Sequence, residues 1–180
     1  MDGRLQALLA RLPSPNPRWF RRPDGRDGSR GIHGVGHTVR VMVHATELGE
    51  ALRVAAWELQ ALERAALWHD IGRTNDGGDY YHGAKSAGKV VGLGLHANVP
   101  PHVLEAALYA VTHHSGDEGH GERAAARLSD PDAALRIFRI LKDADGLDRV
   151  RLGDLDVNQL RHPVSRMRVG RAEELLALLP

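Results

Sequence analysis

Leu67-Trp68-His69-Asp70-Ile71-Gly72-Arg73 sets a histidine and an aspartate side by side at the end of an apolar run. Upstream, Leu59, Leu62, Ala65, Ala66 and Leu67 form the stripe of a helix predicted from Trp57 to Ile71. Taking an imidazole and a carboxylate out of water costs free energy unless hydrogen bonds or a cation compensate. Further potential ligands recur as His37, His82, His113 and Asp145, each at an expected element boundary. The pattern predicts a metal site assembled from several helices.

Working outward, residues 3–12 are helix-like until Pro13, Pro15 and Pro17 end the pattern, and 13–35 reads as a long basic, glycine-rich loop. From His37 to Leu52, Val39, Val41, Val43, Ala45 and Leu48 recur at helical spacing. The turn-forming residues of 73–79 mark a loop, and a helix should follow His82 although Gly88, Gly92 and Gly94 weaken it. Pro100 and Pro101 suit the first turn of a helix running through Leu104, Leu108 and Val111 towards His113. Asp130-Pro131 caps another, through Leu135, Phe138 and Leu141 to Asp145, and Ala172–Leu179 is helical again. With no alternating strand pattern and no repeat, the fold class is all-α, a single helical bundle.

The 180 residues suffice for one domain with a substantial core, so a metal here should serve chemistry first. Zero cysteines exclude disulfides and thiolate sites, leaving His, Asp and Glu as ligands for a borderline or hard ion. Twenty-four basic against 23 acidic residues, a formal charge of +1, give no global attraction to nucleic acid. No signal-peptide pattern and no long apolar run are present, so a cytoplasmic protein without a membrane partner is expected. The oligomeric state is left open.

His37 and His44 lie two turns apart on one helix; His37 opens it and is the favoured ligand, while His44 reads as a core residue. His33 stands four before His37, but Gly34 and Gly36 argue against a helix across the pair. His69 and Asp70 diverge by about 100° on an ideal helix, yet can meet one ion at a helix end where Gly72 permits a turn. The two oxygens of Asp70 allow it to bridge two cations. Asp143 and Asp145 lie two apart, so only one of them should face the site.

The order His37…His69-Asp70…Asp145 resembles the HD-domain superfamily of metal-dependent phosphohydrolases, an all-helical family named for its His-Asp doublet. The local context from His37 to Val41, from Leu67 to Arg73 and from Lys142 to Leu147 is similar to that family's motifs, and the likeness runs from His33 to Arg149. It implies a single HD-type domain over 1–180, with an N-terminal helix and loop (1–32) and a C-terminal helical extension (150–180). It also implies that His37, His69, Asp70 and Asp145 bind a first metal. His82-Gly83 with Ser86-Ala87, and Thr112-His113-His114-Ser115-Gly116, resemble the extra histidines of binuclear branches, implying a second ion held by His82 and His113 with Asp70 bridging. No Gly-Tyr-Pro motif of the cyclic-dinucleotide branch is present, and Arg73 stands where many relatives carry Lys.

The chemistry expected is hydrolysis of a phosphoester or phosphoanhydride bond by metal-activated water, on a nucleotide or related small phosphorylated compound. The divalent ions, expected to be two, are not distinguished among Fe, Mn, Mg, Zn, Co and Ni. Asp70, Arg73 and His114 are the candidate catalytic residues, Arg73 as a guanidinium for phosphoryl oxygens. Asp76, Asp79 and His114 are candidates for proton transfer or for holding the ligands, and Lys142 is a weaker phosphate contact. Arg18, Arg21, Arg22, Arg26 and Arg30 around Trp19 and Phe20 read as a solvated loop with its aromatics tucked inward, rather than as a base-stacking surface. Two competing classes share the ligand set: a di-iron oxygenase of the same fold, and a metal-retaining binding module without turnover.

Overall fold

Val41, Val43, Ala45 and Leu48 are fully buried, because the helix that carries them is enclosed on almost every side. In the computed structural model, which describes residues 3–179, this helix is α2 (Val35–Ala51), following α1 (Gly3–Arg11) and a 3-10 turn at Pro17–Phe20. Next come α3 (Ala56–Trp68), α4 (His82–Gly92), α5 (Pro101–His113), α6 (Glu118–Ala125) and α7 (Pro131–Leu147). Two 3-10 turns, Asp148–Leu152 and Val157–Gln159, lead to α8 (Pro163–Arg166) and α9 (Val169–Leu178). No strand forms among the described residues, only one antiparallel bridge between Arg21 and Asp27.

Helices α2, α3, α5 and α7 pack on one another around Trp68, Phe138, Leu62 and Ile137. The same apolar cluster continues to Leu5 and Leu8 at one end of the chain and to Ala172 and Leu175 at the other. Phe20 is buried and Trp19 packs against the cluster, so the aromatics of the basic stretch are indeed core residues. Among the described residues no helix is long and apolar enough to cross a membrane.

Local chemistry explains most boundaries. The Asp130 carboxylate accepts from the Ala133 amide at 3.0 Å, an N-cap contributing about 1 kcal/mol, and Pro131 occupies the first turn. Helix α6, not anticipated from the pattern, starts where Asp117 accepts from the His120 amide at 2.7 Å. Helix α3 stops at Trp68 rather than Ile71, and the chain turns through His69–Gly72.

That turn is fixed by two close approaches. A Cβ on Gly72 would lie 2.2 Å from the Ser86 nitrogen on α4, and the Gly72 amide donates to Ser86 Oγ at 2.8 Å. A Cβ on Gly83 would lie 2.4 Å from the Val111 carbonyl oxygen on α5. These contacts bring the start of α4 against both the end of α3 and the end of α5. Gly72→Ala and Gly83→Ala should each cost about 3 kcal/mol, the upper part of the overpacking range, because the obstructing atoms are backbone. Thermal melting measures this; wild-type midpoints would mean that the helices separate freely.

Candidate metal centre

Asp70 is the hub of the arrangement. It is 3% exposed and sits in the turn after α3, where side chains from four other segments reach it. Around Oδ2 lie His33 Nδ1 at 2.9 Å, His37 Nε2 at 3.4 Å, His69 Nε2 at 3.6 Å and Arg73 Nε at 3.0 Å. Around Oδ1 lie His82 Nε2 at 3.0 Å and His114 Nε2 at 3.6 Å. Oδ1 nonetheless receives no aligned hydrogen bond, an orphaned buried carboxylate oxygen.

The far side of each ring explains the orphan. His69 Nδ1 donates to the Ala66 carbonyl at 2.7 Å and His114 Nδ1 to the Val111 carbonyl at 2.7 Å. His82 Nδ1 donates to the Asp79 carbonyl, and His37 Nδ1 bonds the Asp148 carboxylate at 2.7 Å. A neutral imidazole with Nδ1–H committed has only a lone pair on Nε2. Yet Nε2 of His37 faces Nε2 of His69 at 3.0 Å, and Nε2 of His82 faces Nε2 of His114 at 2.9 Å. Lone pairs pointing at each other and at carboxylate oxygens repel unless a cation stands among them.

The first such cluster joins His37, His69, one oxygen of Asp70 and Asp145, whose Oδ1 is 3.4 Å from His37 Nε2 and 3.9 Å from His69 Nε2. The second joins His82, His114 and the other oxygen of Asp70. Sets of donor atoms close enough to hold an ion recur accordingly: His33 with His37 and Asp70, His37 with His69 and Asp145, and His69 with Asp70 and His114.

Charges respond in the same sense. Burial opposes a charge on His37, but the Asp145, Asp148 and Asp70 carboxylates raise its pKa to about 10. Burial lowers His69 to about 3 despite Asp70. Desolvation would raise Asp70 and Asp145, yet the surrounding imidazoles hold both carboxyls well below the usual range. Without a metal, a proton on His37 is the cation that the cluster recruits.

Of the residues singled out from sequence, His37, His69, Asp70, His82 and Asp145 converge. His113 does not. Helix α5 ends there, and consecutive helical residues diverge by about 100°. The His113 ring therefore turns outward, 5.0 Å from the Tyr109 ring and 5.6 Å from that of His120, while His114 faces Asp70. The second-cluster histidine expected at His113 is thus corrected to His114. Asp143 also faces away, accepting from Ser165 Oγ at 2.8 Å and the Arg161 and His162 amides at 2.8 and 2.9 Å.

Arg73 lies at the rim, its Nη1 donating to the Gly77 carbonyl at 3.2 Å. Asp76 pairs with Arg22 at 2.7 Å, and the Asp79 carboxylate with Lys85 at 2.7 Å. Lys142 is mostly buried, donating to the His114 carbonyl at 3.1 Å. His44 is fully buried and its ring makes no hydrogen bond among the described residues. Burial lowers it to about 4, so it remains neutral in the core.

Two participants were missed in the sequence. His33 reaches Asp70 from a turn rather than a helix: Gly31 and Gly34 amides close successive turns that swing it towards His37, with the rings 5.5 Å apart. Asp148, three residues after Asp145, collects His37 Nδ1, Arg40 Nε at 2.6 Å and Arg151 Nη1 at 3.2 Å. Its i,i+3 spacing from Asp145 was the available signal. The model of the family described as HD domain matches residues 34–150; no curated protein and no solved structure matches the chain.

Proposed function

Since this chain belongs to the HD domain family, we propose that it is a metal-dependent phosphohydrolase that cleaves a phosphoester or phosphoanhydride bond of a small phosphorylated compound. The observation that supports this most is the Asp70 carboxylate, with one oxygen directed into each of two clusters of imidazole lone pairs. His37, His69, Asp70 and Asp145 would hold one divalent ion; His82, His114 and the second oxygen of Asp70 would hold another. Bound there, such ions lower the pKa of a shared water and neutralise charge on phosphoryl oxygens.

The chain's own groups supply the rest. Carbonyls of Ala66, Asp79 and Val111, with the Asp148 carboxylate, fix the tautomers that present Nε2 to the centre. The Asp145 side chain, 36% exposed, marks the open side by which a phosphate enters. Arg73 Nη2 has no protein partner among the described residues and is free for a phosphoryl oxygen. His33 Nδ1 donates to Asp70 at 2.9 Å, which steadies that wall.

The test is a metal-defined screen on Mn-loaded protein across nucleotides, dinucleoside polyphosphates and simple phosphodiesters, with the release of phosphate, nucleotide or alcohol and the uptake of oxygen followed together. Chelator-sensitive hydrolysis without oxygen uptake is expected. Oxygen consumption by iron-loaded protein, with no ester cleaved, would replace this reading by the oxygenase one. His114→Ala should lower bound metal from about two equivalents towards one and turnover by roughly a hundredfold or more. His113→Ala should keep both ions; an equal metal loss in the two variants would reverse their assignment.

A further inference from the structure

Val35 and Val39 stand one turn apart on α2 and share a cleft with Leu176, Leu178 and Leu179 at the end of α9. With Ile32 they enclose about 670 Å³, within the roughly 300–1,000 Å³ range of small-molecule sites. Three arginines, Arg30, Arg40 and Arg151, also line it, and no acidic residue does so among the described residues. We infer that this cleft binds a free aliphatic carboxylate, its chain against the valines and leucines and its head on the arginines.

The walls suit a flexible hydrocarbon rather than a ring. No Phe, Tyr or Trp lines the cleft among the described residues, so stacking has no surface to act on. Branched aliphatic side chains give instead a non-directional apolar contact, favourable in proportion to the area it removes from water. Ile32 is 46% exposed, whereas Val35, Val39, Leu176, Leu178 and Leu179 are each half-buried. The apolar surface thus lies within a concavity and not on an outer face that could meet a bilayer.

The arginines are not equivalent. Arg40 is used up: Nε and Nη2 donate to Asp148, and Nη1 donates to the Leu179 carbonyl at 2.6 Å, which holds the end of α9 as a wall. Arg30 is exposed and forms no ion pair among the described residues, Asp27 feeling its charge only at longer range. The Arg151 side chain is 7% exposed and keeps a donor in reserve. Its Nε donates to the Ile32 carbonyl at 3.0 Å and its Nη1 to Asp148, while Nη2 lies 3.3 Å from His33 Nδ1, whose hydrogen is given to Asp70. Two hydrogen-bearing nitrogens meet there, so Nη2 has no acceptor among the described residues. A carboxylate oxygen is the acceptor that both guanidinium groups lack.

Loop 29–32 brings the two available cations to the same side. Arg151 is bonded to the Ile32 carbonyl, two residues from Arg30, and Ser29, Arg30, Gly31 and Ile32 all line the cleft. The site is separate from the phosphoryl chemistry. Of its lining residues only His37 also belongs to the metal centre, and the His37 side chain is fully buried. The carboxylate is therefore a ligand apart from the phosphorylated substrate, and its site stands whether or not the hydrolase reading does.

Hexanoate, octanoate, decanoate and decyltrimethylammonium are titrated calorimetrically into the full chain, below the concentrations at which they form micelles, with and without a chelator. Affinity should rise about fourfold for each methylene from hexanoate to decanoate. Decanoate should bind about ten times tighter than the decyl cation or more, chelator or not. Arg30→Glu, at an exposed position, should weaken decanoate about tenfold or more with the melting temperature unchanged, and Val39→Asp should abolish its binding. Where Val39→Asp melts below wild type, Arg30→Glu carries the test. An affinity indifferent to chain length or head charge, decanoate binding that vanishes with the metal, or full affinity in Arg30→Glu overturns the assignment. Cosedimentation with phosphatidylglycerol vesicles that decanoate does not compete, or a dimer that Val39→Asp splits, would make the cleft a membrane or self-association face and overturns it equally.

Discussion

On the proposed mechanism, Asp70→Ala should abolish hydrolysis while the helices stay folded. The substitution removes the one carboxylate shared by both clusters, so His82 with His114 loses its common acidic partner and His37 with His69 keeps only Asp145 of the two it had. Loss of several kcal/mol of transition-state stabilisation corresponds to about three decades in rate or more. Bound metal should fall with it, above all in the second cluster, where only the two imidazoles of His82 and His114 would remain against the three protein donors that such sites use. The fold should survive because Trp68, Phe138 and the rest of the core lie in the interhelical layer and owe nothing to the carboxylate. Turnover, metal content and helical circular dichroism on one preparation decide it. Normal hydrolysis by the variant would end the shared-carboxylate mechanism.

Asp148→Ala acts on stability. This aspartate is fully buried and receives His37, two nitrogens of Arg40 and one of Arg151. Its removal strands two nearly buried guanidinium groups, and breaking a buried ion pair from one side costs about 3–5 kcal/mol. For a chain of this length that lowers the melting temperature by roughly 6–20 °C. His37 also loses the group that fixes its tautomer, which should weaken metal binding about ten- to a hundredfold. Asp148→Asn keeps the shape and one acceptor and should fall between the variant and the wild type. Melting curves with a metal titration provide the check; a midpoint within 2 °C of wild type, allowing about that much for error, would show that Arg40 and Arg151 find water instead.

Most helices were readable because their determinants are local. Val41, Val43, Ala45 and Leu48 recur at the helical period, Asp130-Pro131 caps and opens α7, and Pro101 opens α5. Helix α6 escaped because its Gly-rich sequence has little intrinsic preference, and it forms where Asp117 caps it and the Tyr109 hydroxyl donates to the Gly121 carbonyl at 2.7 Å. Helix α4 formed despite its glycines, since Gly83 is what lets it approach α5.

The sequence by itself determined an all-helical chain and the residue types of a metal site, including the His69-Asp70 doublet and Asp145, because periodicity, caps and motif order are properties of neighbours along the chain. Only the tertiary structure decided which of two adjacent histidines faces Asp70, and that His33 and Asp148 reach the same centre. A doublet such as His113-His114 has no inside or outside until α5 ends against α4. The 100° between consecutive side chains then sends one ring to the carboxylate and the other towards Tyr109 and His120.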